Sequence, residues 1–278
     1  MVNREGPAWD RKDVAIPAGR APDGPGDRRG PRHSVGRVAD AHFEEPRLAE
    51  IYDPLDPDRS DLDANIALAA EFGVRAVLDI GCGTGTLACL LAGRGTQVIA
   101  ADPAAASLAV ARRKPGADHV RWLHADAASL PPLQVDLVTM TGNVAQVFLT
   151  GWEWAGALRA ARQALRRGGR LVFESRNPAR AAWRDWNRDQ TYRRVSIPGV
   201  GRVETWTDLT KVAGNLVSFR TTFAFGDGAV LTSDSTLRFR GRDELARSLR
   251  AAGLVVDEIR DAADRPGREL VFIARRAA

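Results

Sequence analysis

The spacing of hydrophobic positions changes near residue 45 of this 278-residue chain. Before it, the stretch "EGPAWDRKDVAIPAGRAPDGPGDRRGPRHSVG" is dense in glycine, proline and charge and has no sustained apolar period. Such a segment cannot bury enough apolar surface to offset the entropy lost on ordering. We therefore predict a disordered N-terminal tail over residues 1–45 and one folded domain over residues 46–278.

Continuous apolar runs then alternate with amphipathic segments. The runs "RAVLDI", "QVIAAD", "HVRWLHAD", "VDLVTMT" and "GRLVFES" are typical of strands buried on both faces, and "WEWAGALRAARQALR" has the period of a helix. A strand–helix rhythm of this kind indicates a mostly parallel sheet with helices on both faces. The pattern predicts an α/β fold of the doubly wound, Rossmann-like type.

After Ser175, apolar side chains recur at every second residue. The segments "VGRVETWTDLT", "NLVSFRTTFAF" and "AVLTSDSTLRF" alternate apolar and polar residues and are separated by glycine-containing turns. This pattern predicts an antiparallel meander inserted at about residues 192–240, as a lid or wall of a pocket or as a homodimer interface. Aromatic side chains in or beside it could line that pocket or form the core of the small sheet: Trp183, Trp186, Trp206, Phe219, Phe223 and Phe239.

Composition narrows the possible partners. The net charge is +5, but the basic residues are interleaved with acids, which favours a solvated surface over a nucleic-acid-binding face. No apolar run reaches the length of a membrane helix or a signal-peptide core, so we predict a cytoplasmic protein without a membrane partner. The two cysteines, Cys82 and Cys89, fit neither a disulfide framework nor a metal site, and no metal is predicted.

A glycine-rich turn follows the first buried strand, in "VLDIGCGTG". Such a turn places backbone N–H groups at a helix N-terminus, where a ligand can approach closely. The glycines are Gly81, Gly83 and Gly85, whereas a GxGxxG dinucleotide motif would have its third glycine at position 86, which is threonine. The spacing favours an adenosine ligand without a diphosphate over a nicotinamide dinucleotide.

Three aspartates stand at or near the ends of successive strands. Asp79 lies in an apolar strand and needs partners, which the N–H groups of the glycine turn or a ligand ammonium could supply. Asp102 is placed to accept both hydroxyls of a ribose, or to cap the next helix across Pro103. Asp126 could accept the amino group of an adenine, with the N–H of Ala127 donating to a ring nitrogen.

These motifs together resemble those of the class I methyltransferases that use S-adenosylmethionine. "VLDIGCGTG" matches their first motif, "VIAADPA" is similar to the ribose motif, and "LHADAASLP" to the adenine motif, which more often has glycine where Ala125 stands. "DLVTMTGNVAQVF" and "ALRRGGRLVFES" look like the stretches at the fourth and fifth strands. The resemblance implies that residues 46–278 are a methyltransferase domain with a seven-stranded sheet whose last strand is antiparallel.

The resemblance also implies a cofactor site for S-adenosylmethionine. The three glycines would face its methionine part, and "IYDPL" is similar to a segment that closes over the cofactor. The expected cofactor-binding residues are Tyr52, Asp79, Gly81, Cys82, Gly83, Gly85, Asp102, Pro103, Asp126, Ala127 and Thr141.

The candidate catalytic residues lie at the ends of the fourth and fifth strands. Asn143 could orient the nucleophile, Glu174 could act as a base or bind an ammonium, and Arg176 could pair with a substrate carboxylate. Each could instead make a structural hydrogen bond. We expect in-line transfer of a methyl group to a small-molecule acceptor. An RNA or protein methyltransferase and a non-catalytic cofactor-binding module remain as alternatives, although "TGNV" replaces the Pro-Pro-aromatic tetrad after the fourth strand.

Overall fold

The computed structural model describes residues 39–277, which lie in the compact unit of residues 38–278. The predicted tail falls outside the described residues up to residue 38. At its end, however, a short helix α1 spans Ala41–Glu44, so the predicted boundary at residue 45 is too late. The next helix, α2 (Pro46–Leu55), begins after Glu45, whose carboxylate accepts the N–H of Arg47 at 3.4 Å, with a proline in its first turn.

The main sheet has seven strands in the order β10-β11-β5-β4-β1-β2-β3. Strands β1 to β5 are parallel to one another, and β11 pairs antiparallel with both β5 and β10. The predicted doubly wound sheet with an antiparallel last strand is confirmed. Its strands are β1 (Ala76–Ile80), β2 (Gln97–Asp102), β3 (Val120–His124), β4 (Val135–Met140), β5 (Leu165–Arg176), β10 (Leu254–Asp261) and β11 (Glu269–Arg276).

Each face of this sheet has its own apolar core because its strands are buried on both sides. Phe173 and Phe272, with stacked rings 5.1 Å apart, belong to one core, and Val77 and Val172 to the other. Residues of helices α6 and α8 join the first core and residues of α3 and α4 join the second. The remaining helices are α3 (Asp63–Glu71), α4 (Thr86–Ala92), α5 (Ala105–Ala111), α6 (Gly151–Ala164), α7 (Arg188–Thr191) and α8 (Arg242–Ala251).

The predicted meander is a separate antiparallel sheet in the order β6-β7-β8-β9. Phe223 and Phe225 from this sheet pack with Leu48 and Ile51 of α2 in a third core. The sheet therefore has a buried face of its own, which explains the period-two pattern. Its strands are β6 (Arg193–Ile197), β7 (Gly201–Ala213), β8 (Leu216–Phe225) and β9 (Val230–Arg238).

Helices α1 and α2, here called the N-terminal strap (residues 41–55), connect the two sheets. The N–H of His42 donates to Ser233 Oγ in the small sheet at 2.9 Å. On the other side, Ser107 Oγ in α5 donates to the carbonyl of Phe43 at 2.8 Å. The strap is thus held between the small sheet and the helices of the main sheet. Across residues 39–277, none of the helices combines the length and hydrophobicity needed to span a membrane.

Candidate functional site

Most of the predicted site residues gather at one edge of the main sheet. This carboxyl edge is where β1 to β5 end and the antiparallel β11 begins. Ligands of open α/β sheets bind at such an edge because loops and helix N-termini converge there. Asp79, Asp102, Glu174 and Arg176 lie in the last residues of their strands, and Thr141 directly follows β4.

The glycine turn runs from β1 into α4 with positive φ at all three glycines, of 73°, 53° and 76°. A Cβ on Gly81 would lie 2.5 Å from Val144, and one on Gly85 2.4 Å from the Trp122 ring. A Cβ on Gly83 would meet no atom within 4 Å. Gly81 and Gly85 therefore allow close packing within the protein, whereas Gly83 borders open space. That all three glycines face a ligand stays a prediction.

Asp79 is 1% exposed, and one of its two carboxylate oxygens accepts a hydrogen bond. Its Oδ1 accepts from the Thr139 hydroxyl at 2.7 Å, while Oδ2 is buried without a hydrogen-bond partner among residues 39–277. Burial raises its pKa to about 7, because a charged carboxylate is poorly solvated there. The expectation that the turn's N–H groups bind Asp79 is wrong, since those of Gly81 and Cys82 donate to the Ala101 carbonyl.

Asp102 accepts hydrogen bonds from both the glycine turn and the N-terminus of α5. Its Oδ2 accepts the N–H of Gly83 at 2.8 Å, and its Oδ1 accepts that of Ala104, the N-cap of α5, also at 2.8 Å. Burial raises the pKa of this carboxyl, and the two N–H donors oppose that rise. The capping role is thus present, and each oxygen keeps a further lone pair for a ligand hydroxyl.

The end of β3 forms a compact turn. Asp126 Oδ1 accepts the N–H groups of Ala128 and Ser129 at 3.0 and 2.9 Å. The Ala127 side chain is 6% exposed and packs in the core, so it shapes the turn from below. The His124 ring lies 2.9 Å from the Pro103 carbonyl, which joins the ends of β2 and β3.

The N-terminal strap reaches the glycine turn through Asp53, a residue that the sequence reasoning missed. Asp53 accepts from the hydroxyls of Thr84 and Thr86 at 2.9 and 3.1 Å and lies 2.7 Å from Lys114 Nζ. The neighbouring Tyr52 ring contacts the rings of His42 and Phe43. Burial raises the pKa of Tyr52. The strap therefore adjoins the glycine turn through Asp53, and the position of Tyr52 over a cofactor stays a prediction.

The candidate catalytic residues at the ends of β4 and β5 form a buried polar cluster. Glu174 Oε1 accepts the N–H of Gly142 at 2.6 Å. Asn143, with a left-handed φ of 64°, donates from Nδ2 to Glu269 Oε1 at 3.1 Å. Glu269 is 2% exposed and was not predicted, because its place opposite Arg176 depends on the pairing of β11 with β5. Burial and the charge on Glu269 raise the pKa of Glu174.

Arg176 borders this cluster on the side of the small sheet. Its Nη1 donates to Gln146 Oε1 at 3.1 Å, and its guanidinium lies 5.9 Å from the ring of Trp186. Burial lowers its pKa. Within the part of the chain that the structure describes, six buried side-chain polar atoms have no partner: Asp79 Oδ2, Asn143 Oδ1, Gln146 Nε2, Ser175 Oγ, Arg238 Nε and Glu269 Oε2.

Aromatic rings continue from Arg176 into the small sheet. Trp186 meets Phe219 edge-on at 4.7 Å, and Trp183 meets Phe239 at 4.5 Å. Trp206 instead packs under Arg188, and Phe223 lies in the core against His42. The structure thus places part of the predicted aromatic set beside the polar cluster.

Comparison with known proteins gives a consistent picture. Residues 77–169 match a family model described as a methyltransferase domain. A demethylmenaquinone methyltransferase from Clavibacter sepedonicus is 38% identical over 110 residues, covering 38% of this chain and 43% of that protein. The chain spans about half the length of the curated relatives it matches.

Solved structures match over more of the chain. An S-adenosylmethionine-dependent methyltransferase from Clostridium acetobutylicum has a TM-score of 0.67 and 17% identity, covering 84% of this chain and 99% of its own. An amino pentose methyltransferase from Micromonospora echinaspora, solved with S-adenosylmethionine bound, has a TM-score of 0.64 and 24% identity, covering 82% and 97%. At these identities the likeness shows the fold.

Proposed function

We propose that the chain, whose residues 77–169 match the model of a methyltransferase domain, is a class I methyltransferase that transfers a methyl group from S-adenosylmethionine to a small-molecule acceptor by in-line displacement. The observation that carries the proposal is the glycine turn with its open face at Gly83, flanked by the buried carboxylates of Asp79 and Asp102. Gly81 of this turn packs against Val144, the residue that follows Asn143 of the polar cluster.

The residues present fit this cofactor. Gly83 leaves room for a ligand against the backbone, and Asp102 has lone pairs suited to ribose hydroxyls. Asp79 Oδ2 is a buried oxygen without a partner, which a ligand ammonium would satisfy. When bound, S-adenosylmethionine supplies a methyl group activated by its sulfonium.

The chain's own residues then have to bind and orient the acceptor. Orientation is expected to be the main contribution, since correct placement of two reactants can lower a barrier by about 7–11 kcal/mol. Asn143 is locked by its bond to Glu269, with its Oδ1 left to accept from an acceptor group. Glu174, whose pKa is raised, is suited to take a proton from an acceptor at neutral pH. No further base is required for an acceptor that is already deprotonated.

Two matched aspartates test the cofactor site. Asp102 and Asp136 each accept two backbone N–H groups, but Asp136 does so at the start of β4, on the opposite edge of the sheet. We expect Asp102→Ala to weaken S-adenosylmethionine binding by about 1.5–3 kcal/mol, the range for hydrogen bonds to a charged group. Asp136→Ala should leave binding unchanged. Isothermal titration calorimetry measures both, on protein whose folding is checked by circular dichroism.

Unchanged affinity in Asp102→Ala, or equal losses in both variants, would remove Asp102 from the cofactor site. Binding of NADH without binding of S-adenosylmethionine would refute the methyltransferase assignment. Radiolabelled methyl transfer to a fractionated small-molecule extract tests catalysis itself. Label recovered in RNA or protein, or tight cofactor binding without transfer to any fraction, would favour the two alternatives left open by the sequence.

A further inference from the structure

The guanidinium of Arg176 has hydrogen-bond donors that the described residues do not use, and these donors bear on the chemistry of the acceptor. A guanidinium has five N–H donors in a planar fork that matches a carboxylate. Within residues 39–277, Arg176 makes one hydrogen bond, from Nη1 to Gln146 Oε1 at 3.1 Å. Its side chain keeps 27% of its surface exposed, so the remaining donors are within reach of a ligand. Buried charges are normally paired, and this one is paired incompletely.

The nearby carboxylates are engaged elsewhere. Glu269 Oε1 accepts from Asn143 Nδ2 and Arg265 Nη1, both at 3.1 Å, and lies 3.8 Å from Arg176 Nε, beyond hydrogen-bond distance. Glu174 Oε1 is held by the N–H of Gly142 at 2.6 Å. Glu269 is thus shared between Arg265 and a longer ion pair with Arg176, and the other N–H donors of the Arg176 guanidinium make no hydrogen bond to the described residues.

The buried amide of Gln146 orients this guanidinium. Gln146 is 1% exposed, and its Nε2 has no partner. The orientation of its amide follows from Arg176: the oxygen must face the guanidinium, so the nitrogen faces away. Trp186 covers the guanidinium at 5.9 Å, and Phe219 supports Trp186 at 4.7 Å. The site combines positive charge, unused N–H donors and an aromatic wall.

We propose that Arg176, oriented by its hydrogen bond to Gln146, binds a carboxylate of the methyl acceptor, and that the acceptor is a small carboxylate with an apolar or aromatic body against Trp186. This assignment rests on the proposed function, because it concerns the acceptor of that reaction. Arg176 determines specificity by charge and fork geometry, while Asn143 and Glu174 serve the atom that is methylated. Amines and neutral amides are rejected because they leave the guanidinium without an anion.

The test measures binding of three probes of one shape: benzoate, benzamide and benzylamine. Ligand-observed NMR titrations on the full chain, with and without S-adenosylmethionine, give the dissociation constants. We expect benzoate to bind at least tenfold more tightly than either of the other two. Equal or tighter binding of benzamide or benzylamine, or the absence of saturable benzoate binding, would overturn the proposal.

Substitutions of arginine test whether Arg176 causes the preference for benzoate. Arg176→Gln should reduce benzoate affinity at least tenfold and remove the preference, and Arg176→Lys, which keeps the charge, should retain part of it. Arg188→Gln is the matched control, since Arg188 also lies over a tryptophan, at 4.3 Å from the Trp206 ring, but outside the cluster. A preference that survives Arg176→Gln, or that is lost equally in Arg188→Gln, overturns the assignment.

Calorimetry separates this proposal from the proposed function. Arg176→Gln should bind S-adenosylmethionine as the unmodified protein does, because Arg176 lies at the end of β5 and the glycine turn lies at the end of β1. Loss of cofactor binding in the unmodified protein would contradict the proposed function while leaving the benzoate preference measurable without cofactor.

Discussion

Polar side chains differ in hydrogen bonding between the two edges of the main sheet. One is the carboxyl edge, and the other is the amino edge, where the parallel strands β1 to β5 begin. At the amino edge, Asp136 accepts the N–H groups of Arg75 and Ala76, both at 2.9 Å, and pairs with Arg166 at 2.7 Å. At the carboxyl edge, Asp79 has one bonded oxygen and one buried oxygen without a partner. The pKa of Asp136 is lowered, since these donors outweigh its burial, whereas burial raises that of Asp79 to about 7.

This difference distinguishes polar groups whose hydrogen bonds are complete within the protein from polar groups that a ligand could complete. Among the described residues, five of the six unpartnered buried atoms belong to Asp79, Asn143, Gln146, Ser175 and Glu269, all at or next to the carboxyl edge. An unsatisfied buried polar group costs about 1–3 kcal/mol, so a protein retains such a group where a ligand completes it. The polar groups of the amino edge stabilise the fold, and we propose that those of the carboxyl edge are retained for a ligand.

The largest expected change in stability distinguishes two glycines of the glycine turn, Gly85 and Gly83. Gly85→Ala places a Cβ 2.4 Å from the Trp122 ring at a φ of 76°, so overpacking and left-handed strain should together lower stability by about 3 kcal/mol. Gly83→Ala meets open space and should cost about 1–2 kcal/mol from strain, while weakening cofactor binding. Denaturant unfolding and calorimetry measure the two effects. Similar stability losses in both variants would contradict the distinction.

The next effect concerns the amino edge. Asp136→Ala removes an acceptor from two backbone N–H groups and from Arg166, and should lower stability by about 2 kcal/mol. Because the folded-state pKa of Asp136 is lowered, its contribution is present at neutral pH and is lost as the pH falls below about 4. Urea unfolding at pH 7 and pH 3 compares variant and parent. A loss that is as large at pH 3 would show that charge is not the cause.

At the carboxyl edge, Asp79→Asn should be neutral or stabilising by about 1 kcal/mol at pH 8, while weakening cofactor binding. Asparagine keeps an oxygen for Thr139 and removes the buried charge. A raised folded-state pKa means that Asp79 favours folding below about pH 4, and that this contribution is lost as the pH rises to about 7.

Unfolding of parent and variant from pH 4 to 8 tests this window. Their difference should change between pH 4 and 7 and then level off. The comparison removes the effect of His42, whose pKa burial lowers to about 4, because His42 is present in both proteins. A difference that does not vary with pH would contradict the assignment.

The smallest effect compares two serines that are each 1% exposed. Ser175 Oγ has no partner, whereas Ser107 Oγ donates to the Phe43 carbonyl at 2.8 Å. Ser175→Ala should change stability by less than about 0.5 kcal/mol or raise it, and Ser107→Ala should lower it by about 1 kcal/mol. Thermal unfolding of both variants decides this. A clear loss in Ser175→Ala would show that its hydroxyl is satisfied in solution.

Local sequence determined the secondary-structure elements and the position of the glycine turn. Apolar runs of strand length, helical periods and the period-two meander depend on neighbours within a few residues, and they predicted both sheets. The spacing of Gly81, Gly83 and Gly85 and the strand-end positions of Asp102 and Asp126 likewise marked the carboxyl edge, because parallel strands all end there.

Tertiary structure decided what each of these residues touches. Gly85 packs against Trp122, Asp79 bonds to Thr139, and Asp53 reaches the glycine turn from the N-terminal strap. Glu269 meets Arg176 because β11 pairs antiparallel with β5. Such contacts join residues far apart in the chain, so their geometry follows from strand order and packing rather than from local pattern. The composition of the proposed acceptor site is therefore a property of the assembled sheet.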